Sequence, residues 1–210
     1  MAAPLEAQAA GRAILMETFI ALGPAEILGA AGGAVWTLAR DIGENESVFA
    51  ALALTRAADA GTLGHALRDV AWRAVPQTGW VGPEGAAAEV APEDQREVFV
   101  VFNNAVPGKE DEYARWYDQV HLGHTFEHIG FAGAQRFALE PVGAQSPPYR
   151  YVTVYAVPEG GIDRCEARRV AVGRQREHAL RAGEEPQVPV SDALTGPRHA
   201  NYFRKATADV

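Results

Sequence analysis

A single cysteine, Cys165, in 210 residues leaves this chain without an intrachain disulfide or a cysteine-ligated metal cluster. Positive charge is also in deficit. Nineteen Lys and Arg against 27 Asp and Glu give a net charge of −8 and a pI near 5.3, which argues against a nucleic-acid or anionic-membrane partner. No run approaches the roughly 18 apolar residues needed to cross a bilayer. Residues 1–13 carry Glu6 and Arg12 without a long apolar core, so they do not read as a signal peptide. A soluble, cytoplasmic protein is the expectation. Glycines 29, 32 and 33 are followed by no Lys-Ser/Thr pair and match neither nucleotide fingerprint. Close packing is their expected role, and no organic cofactor is expected. The zinc-binding order His-Glu-x-x-His does not occur.

What is present suits a folded core: 48% hydrophobic residues and only 22% charged ones are values of an ordinary globular protein. The length fits one large domain or two small ones. Residues 13–22 read as a buried strand and 25–35 as a short, glycine-weakened helix. Residues 36–41 and 47–56 read as a strand pair around the turn at 43–46. A helix is expected from Thr62 to about Val75, with Leu63, Ala66, Leu67, Val70 and Ala74 on one face. Residues 76–95, punctuated by prolines and glycines, read as a linker between an N-terminal half (1–75) and a C-terminal half (96–210); Trp80-Val81 inside it could add a short strand. The second half repeats the order: strand 97–102, helix 109–122, strands 131–139 and 149–157, helix 163–182 closed by Gly183, and a last strand at 201–206. The arginines of the long helix alternate with acids and read as a solvated face. Each half thus has the β-α-β-β-α-β order of a ferredoxin-like unit. The fold class expected is α+β, two tandem ferredoxin-like units whose apolar sheet faces pack together within one chain.

Residues 104–113 (Asn-Ala-Val-Pro-Gly-Lys-Glu-Asp-Glu-Tyr), Trp116-Tyr117-Asp118-Gln119-Val120-His121-Leu122, Gly130-Phe131 and Ala134-Gln135-Arg136-Phe137 resemble the EthD-like branch of the dimeric α+β barrel superfamily. The resemblance covers residues 97–157; the first half shares only its element order. It implies a barrel of two ferredoxin-like units, here within one chain, with a ligand held between sheet and helices. Such a chain could still form a homodimer through its outer surfaces. The superfamily includes cofactor-free monooxygenases, lactone isomerases, polyketide cyclases and, more distantly, haem enzymes. Where it has Pro-Asp after His-Leu, this chain has Gly123-His124, and where it has Pro before Gly-Phe, this chain has Ile129.

The histidines of this segment carry the chemistry expected of it. His121 matches the motif, and an ordinary pKa near 6.5 suits a general acid or base. His124 is its expected partner and Tyr117 a pocket wall or hydroxyl donor, the three forming the catalytic candidates. Tyr113, Trp116, Asn103 and Arg136 are candidates for holding substrate, although Asn103 and Asn104 could simply end their strand and Arg136 could simply pair with an acid. Asp118 reads as a solvent-facing or ion-paired acid. The expected function is histidine acid–base chemistry on an apolar, aromatic or polyketide-like small molecule, of isomerase, cyclase or lyase type. The alternatives are a metal- or haem-dependent enzyme, with His121, His124 and His128 as transition-metal ligands on one helix face, and a non-catalytic ligand-binding stress-response protein. His65, His178, His199 and Cys165 are isolated and receive no role.

Overall fold

The computed structural model describes residues 17–23, 28, 33–42, 50–57, 61, 63, 70–85, 92–144 and 146–206. Eight strands are formed: β1 (Glu17–Gly23), β2 (Ala34–Asp41), β3 (Ala51–Ala57), β4 (Ala71–Pro76), β5 (Glu97–Ala105), β6 (Gly133–Pro141), β7 (Tyr151–Val157) and β8 (Leu194–Lys205). They close into a barrel in the order β1-β3-β2-β8-β5-β7-β6-β4, with β4 returning to β1. Every named pairing is antiparallel. In each half the fourth strand pairs with the first and the third lies between the first and second. The halves join at two seams, β2 with β8 and β4 with β6.

Strand alternation creates two layers. Along β5, Val98, Val100 and Phe102 belong to a cluster drawn from all eight strands, with Trp36, Trp72, Leu54, Phe137, Val154 and Phe203 among its members. That cluster is the barrel interior. The intervening Phe99 and Val101 point outward, under the helices, as a period of two requires. The strands read as continuous apolar runs because both faces are covered.

In the second half, α1 (Glu110–Trp116) opens with Glu110, Asp111 and Glu112 at the positive end of its dipole. It passes into a π-helical turn (Tyr117–His121) and then α2 (Leu122–His128). Gly130, at φ 88°, turns the chain out of the helix into β6. After β7, α3 (Ile162–Ala182) ends at Gly183 in the left-handed conformation, the favoured glycine position. The β-α-β-β-α-β order is therefore complete in this half. The helices expected at 25–35 and 62–75 in the first half, and the turn at 43–46, lie largely outside the described residues.

Two expectations need correction. Residues 71–76 are a strand, not the end of a helix. Trp72 turns into the barrel while Arg73 reaches outward to Glu17 (3.1 Å) and Glu140 (3.4 Å) on the neighbouring strands. Asn103 and Asn104 do not end β5; the strand runs through them, and β8 begins at Leu194 because Asn104 and Ala105 pair with Thr195 and Leu194 past a bulge. Asn104 instead holds the approach to β7, accepting from the Arg150 backbone N–H at 2.7 Å. Between the halves, residues 77–81 lie along β6, with Val81 and Ala134 exchanging backbone hydrogen bonds of 2.9 and 2.7 Å.

Arg136 on β6 fixes the helices to the sheet. Its side chain is 2% exposed, and its guanidinium donates two parallel hydrogen bonds to Asp118 in the π-helical turn, at 2.9 and 2.7 Å. Tyr113, Tyr117 and Tyr151 surround it with ring centroids 5.6 to 5.9 Å from the guanidinium carbon. Removing only the acid leaves a buried, uncompensated cation. Asp118→Ala should therefore lower the unfolding free energy in urea by about 3 kcal/mol. Glu110→Ala, which breaks an outer pair with Arg150, should cost less than about 1 kcal/mol. The double variant Asp118→Ala/Arg136→Met should recover much of the first loss, and a double variant no better than Asp118→Ala would refute the assignment of that cost to a stranded charge.

Candidate functional site

A cavity of about 300 Å³ lies between the outer face of the second-half sheet and its helices. The sheet contributes Phe99, Val101 and Asn103 from β5 and Tyr155 from β7, with Arg198 and Ala200 from β8. Trp116, Tyr117, His121 and Thr125 descend from the helical segment, and Arg169, Val172, Gly173 and Arg176 from α3. The volume sits at the lower end of small-molecule sites, and the lining combines aromatic walls with a few polar groups, as such sites do.

The π-helical turn arranges the aromatic wall. Its wider hydrogen bond, from the Leu122 N–H to the Tyr117 carbonyl, places Trp116, Tyr117 and His121 in one cluster. Trp116 and His121 lie 4.7 Å apart at 30°, and Tyr117 meets His121 edge-on at 4.8 Å. Turns of this kind occur often at functional sites. Below them the Tyr117 and Tyr155 hydroxyls share a hydrogen bond of 2.8 Å. Burial raises both phenol pKa values, so both remain protonated donors. The Tyr113 hydroxyl donates to Asn103 Oδ1 at 2.7 Å, which holds that amide at the cavity edge.

His121 is the titratable group set apart by its surroundings. Burial, followed by the positive charges of Arg176 and Arg198 and by His124, pushes its pKa down to about 3. Its imidazole is neutral at physiological pH. Nδ1 is buried and has no hydrogen-bond partner, as is true of the neighbouring Trp116 Nε1. Burial is the larger cause of this neutrality, and the two arginines add to it.

Of the residues singled out in the sequence, His121, Tyr117, Trp116 and Asn103 meet at the cavity. Tyr113 is packed behind Asn103, and Arg136 is taken up by Asp118. His124 faces a separate cleft with Glu127, and it lies with Glu127 and His128 in a cluster that does not include His121. Seven residues of helix separate His121 from His128 by about 10 Å along the axis. His178 is exposed, His199 faces Asn201 within the sheet at 3.3 Å, and Cys165 is buried, its thiol pKa raised by burial. His65 lies outside the described residues.

The arginines of the long helix were expected on a solvated face, and Arg169 and Arg176 correct that expectation. Cys165, Arg169, Val172, Arg176 and Ala179 recur at steps of four and three, so the two cations stand in the buried stripe of α3. That spacing was the available signal. Arg169 is held by Glu166 through hydrogen bonds of 2.7 and 3.0 Å.

No family profile matches the chain, and neither does any curated protein. Two solved structures are similar to it over most of its length. One, described as an anthrone oxidase-like protein, is 13% identical with a TM-score of 0.47, over 91% of this chain and 92% of that one. The other, from Fusobacterium nucleatum and provisionally named a monooxygenase, is 10% identical with a TM-score of 0.46, over 90% and 91%. No helix among the described residues is long and apolar enough to cross a membrane.

The depressed pKa of His121 has a consequence for folding. Below its ordinary value of 6.5 the unfolded chain binds a proton there, which the folded chain refuses until about pH 3. The contribution is therefore complete at neutral pH and is lost on acidification, at up to about 1.4 kcal/mol per pH unit. His121→Phe should show a shallower fall of the urea midpoint between about pH 6 and pH 4. Equal slopes for the two proteins would show that His121 titrates normally.

Proposed function

We propose that the chain is a small-molecule enzyme, a cofactor-independent acid–base catalyst of isomerase, cyclase or lyase type. Its substrate would be an apolar, planar molecule of one or two rings bearing an enolisable carbonyl or a phenol. The observation that carries this reading is the His121 imidazole: neutral, with Nδ1 buried and unpartnered, in an aromatic wall within the field of two guanidinium groups. The same strand order in both halves and the motif at residues 104–137 favour a pair of ferredoxin-like units of the EthD-like branch.

The residues divide the work as follows. Trp116 and the cavity's apolar lining take the ring system and keep water from the reacting carbon. The neutral imidazole of His121 accepts a proton from the carbon beside the carbonyl. The electron pair moves to oxygen, and the enolate forms where Arg176 and Arg198 already supply positive potential. That potential disfavours imidazolium in the empty cavity. Once the enolate is present it offsets the two cations, so the proton on His121 is tolerated for as long as the anion lasts. Returning the proton at a different carbon gives isomerisation. Attack of the enolate carbon on a second carbonyl, with the resulting alkoxide taking the proton back, gives cyclisation.

The first step can be read without knowing the natural substrate. In deuterated buffer, proton NMR should show that the protein accelerates exchange of the α-protons of 2-tetralone, a bicyclic enolisable ketone. His121→Ala should slow that exchange about 10²–10⁴-fold, Arg198→Met should slow it less, and His178→Ala should leave it unchanged. Absence of any acceleration, or full acceleration by His121→Ala, would overturn the assignment.

A further inference from the structure

A second cluster of nitrogen and oxygen donors lies on the same helical segment, away from the cavity. His124, Glu127 and His128 occupy positions i, i+3 and i+4 of α2, which places them on one ridge one turn apart. The two imidazole rings stand nearly parallel, 5.7 Å between centroids and 22° between planes. Glu127 Oε2 is 3.8 Å from His128 Nε2, and one donor atom from each of the three residues falls within 4.8 Å of the others. His124 Nδ1 is buried without a hydrogen-bond partner, a condition that typically costs about 1–3 kcal/mol.

From this arrangement we infer a binding site for a divalent transition-metal ion, ligated by His124, His128 and Glu127. Two neutral imidazoles select zinc, nickel or copper over calcium and magnesium, which prefer all-oxygen sets. The order His124-x-x-Glu127-His128 is that of His-Glu-x-x-His reversed, and both place two imidazoles one helical turn apart with a carboxylate inside the turn. Tetrahedral zinc at about 2.0–2.1 Å from each nitrogen needs them about 3.3 Å apart, so side-chain rotation of about an ångström closes the set around an ion.

The surroundings leave open positions for water or a ligand. His124 and Glu127 line a cleft of about 600 Å³ with Gln119, Gly123 and Glu84. Glu84 belongs to the turn Pro83–Gly85 against which α2 packs. It adopts φ 60°, ψ 16°, a left-handed conformation uncommon for glutamate, and it brings a second carboxylate to the cleft. Among the described residues the cleft and the cavity have no lining residue in common. The two sites are thus separate in space, although His124 lies close enough to His121 to help depress its pKa.

Titration of the chelator-treated, tag-free full chain with Zn²⁺ in a calorimeter should show one equivalent bound at micromolar concentration. Replacing Zn²⁺ by Co²⁺ should give the visible absorption of a low-symmetry, four- or five-coordinate ion. His124→Ala and His128→Ala should each weaken binding by at least about tenfold, the loss caused even by outer partners of a metal ligand. Glu127→Gln should weaken it less, while His121→Ala and His178→Ala should bind as the parent does. Circular dichroism should show His128→Ala folded, so its loss reads as loss of a ligand. Absence of saturable binding, equal binding by the His124→Ala/His128→Ala double variant, or loss of binding in His121→Ala would each overturn the inference.

Discussion

A guanidinium group with almost no access to water holds the second half together. Arg136 rises from β6 into a layer where the rest of the sheet presents Phe99, Val101, Tyr151 and Tyr155. Alone there it would be strongly unfavourable. Asp118 meets it with a two-pronged carboxylate, and three tyrosine rings turn toward it. Because Asp118 belongs to the π-helical turn, the ion pair sets both the height and the rotation of the helical segment above the sheet. Asp118 itself remains partly exposed at 31%, so one end of the pair stays hydrated and only the cation is fully desolvated. Trp116, Tyr117 and His121 inherit their places from that docking.

The cavity follows from the same docking by a difference between the two sides of the helical segment. Toward α3 the side chains are large and leave a gap; toward the turn Pro83–Gly85 the segment presents His124 and Glu127 to a separate cleft. One segment thus sorts its histidines into unlike settings. His121 goes into an apolar space bounded by cations, where the charged form is disfavoured. His124 and His128 go to a ridge beside a carboxylate. The three share a residue type and lie within eight positions of one another, yet one faces arginines and two stand beside a carboxylate.

What the sequence allowed to be read depended on how local the deciding interaction was. The elements of the second half are long and periodic; most of their starts lie within two residues of the expected ones, while the first helical segment runs six residues further and the last strand begins seven earlier. His121, Tyr117 and Trp116 lie on one segment, so spacing alone brings them near each other. Residues 71–76 misled because Leu63, Ala66, Leu67, Val70 and Ala74 fit a helical period. Their strand character comes from pairing with β1 and β6, the latter more than 60 positions away. The π-helical turn left no trace, since one extra residue in a turn barely alters the apolar pattern. Arg169 and Arg176 were hidden by the acids around them, although their steps of three and four from Cys165, Val172 and Ala179 were present all along. Arg198 comes from β8 and is brought to the cavity only by the closing of the sheet.

The two halves share a strand order but not an outer face, and the difference is one of side-chain size. In the first half the outward positions of the sheet are Phe19, Ala21, Ala51, Ala53, Ala57 and Ala71, with Leu28 and Leu63 packed against them. In the second half the corresponding layer is built on Phe99, Tyr151, Tyr155 and Tyr202, whose rings hold the helices away from the backbone. Interiors pack to nearly constant density, so a lasting gap needs rigid, bulky walls that cannot collapse into it. The second half has such walls, stacked on one another: Phe99 lies against Phe131 at 5.4 Å and Tyr202 at 4.5 Å, and Phe131 against Tyr155 at 4.7 Å. The cavity stands on this aromatic face of the sheet.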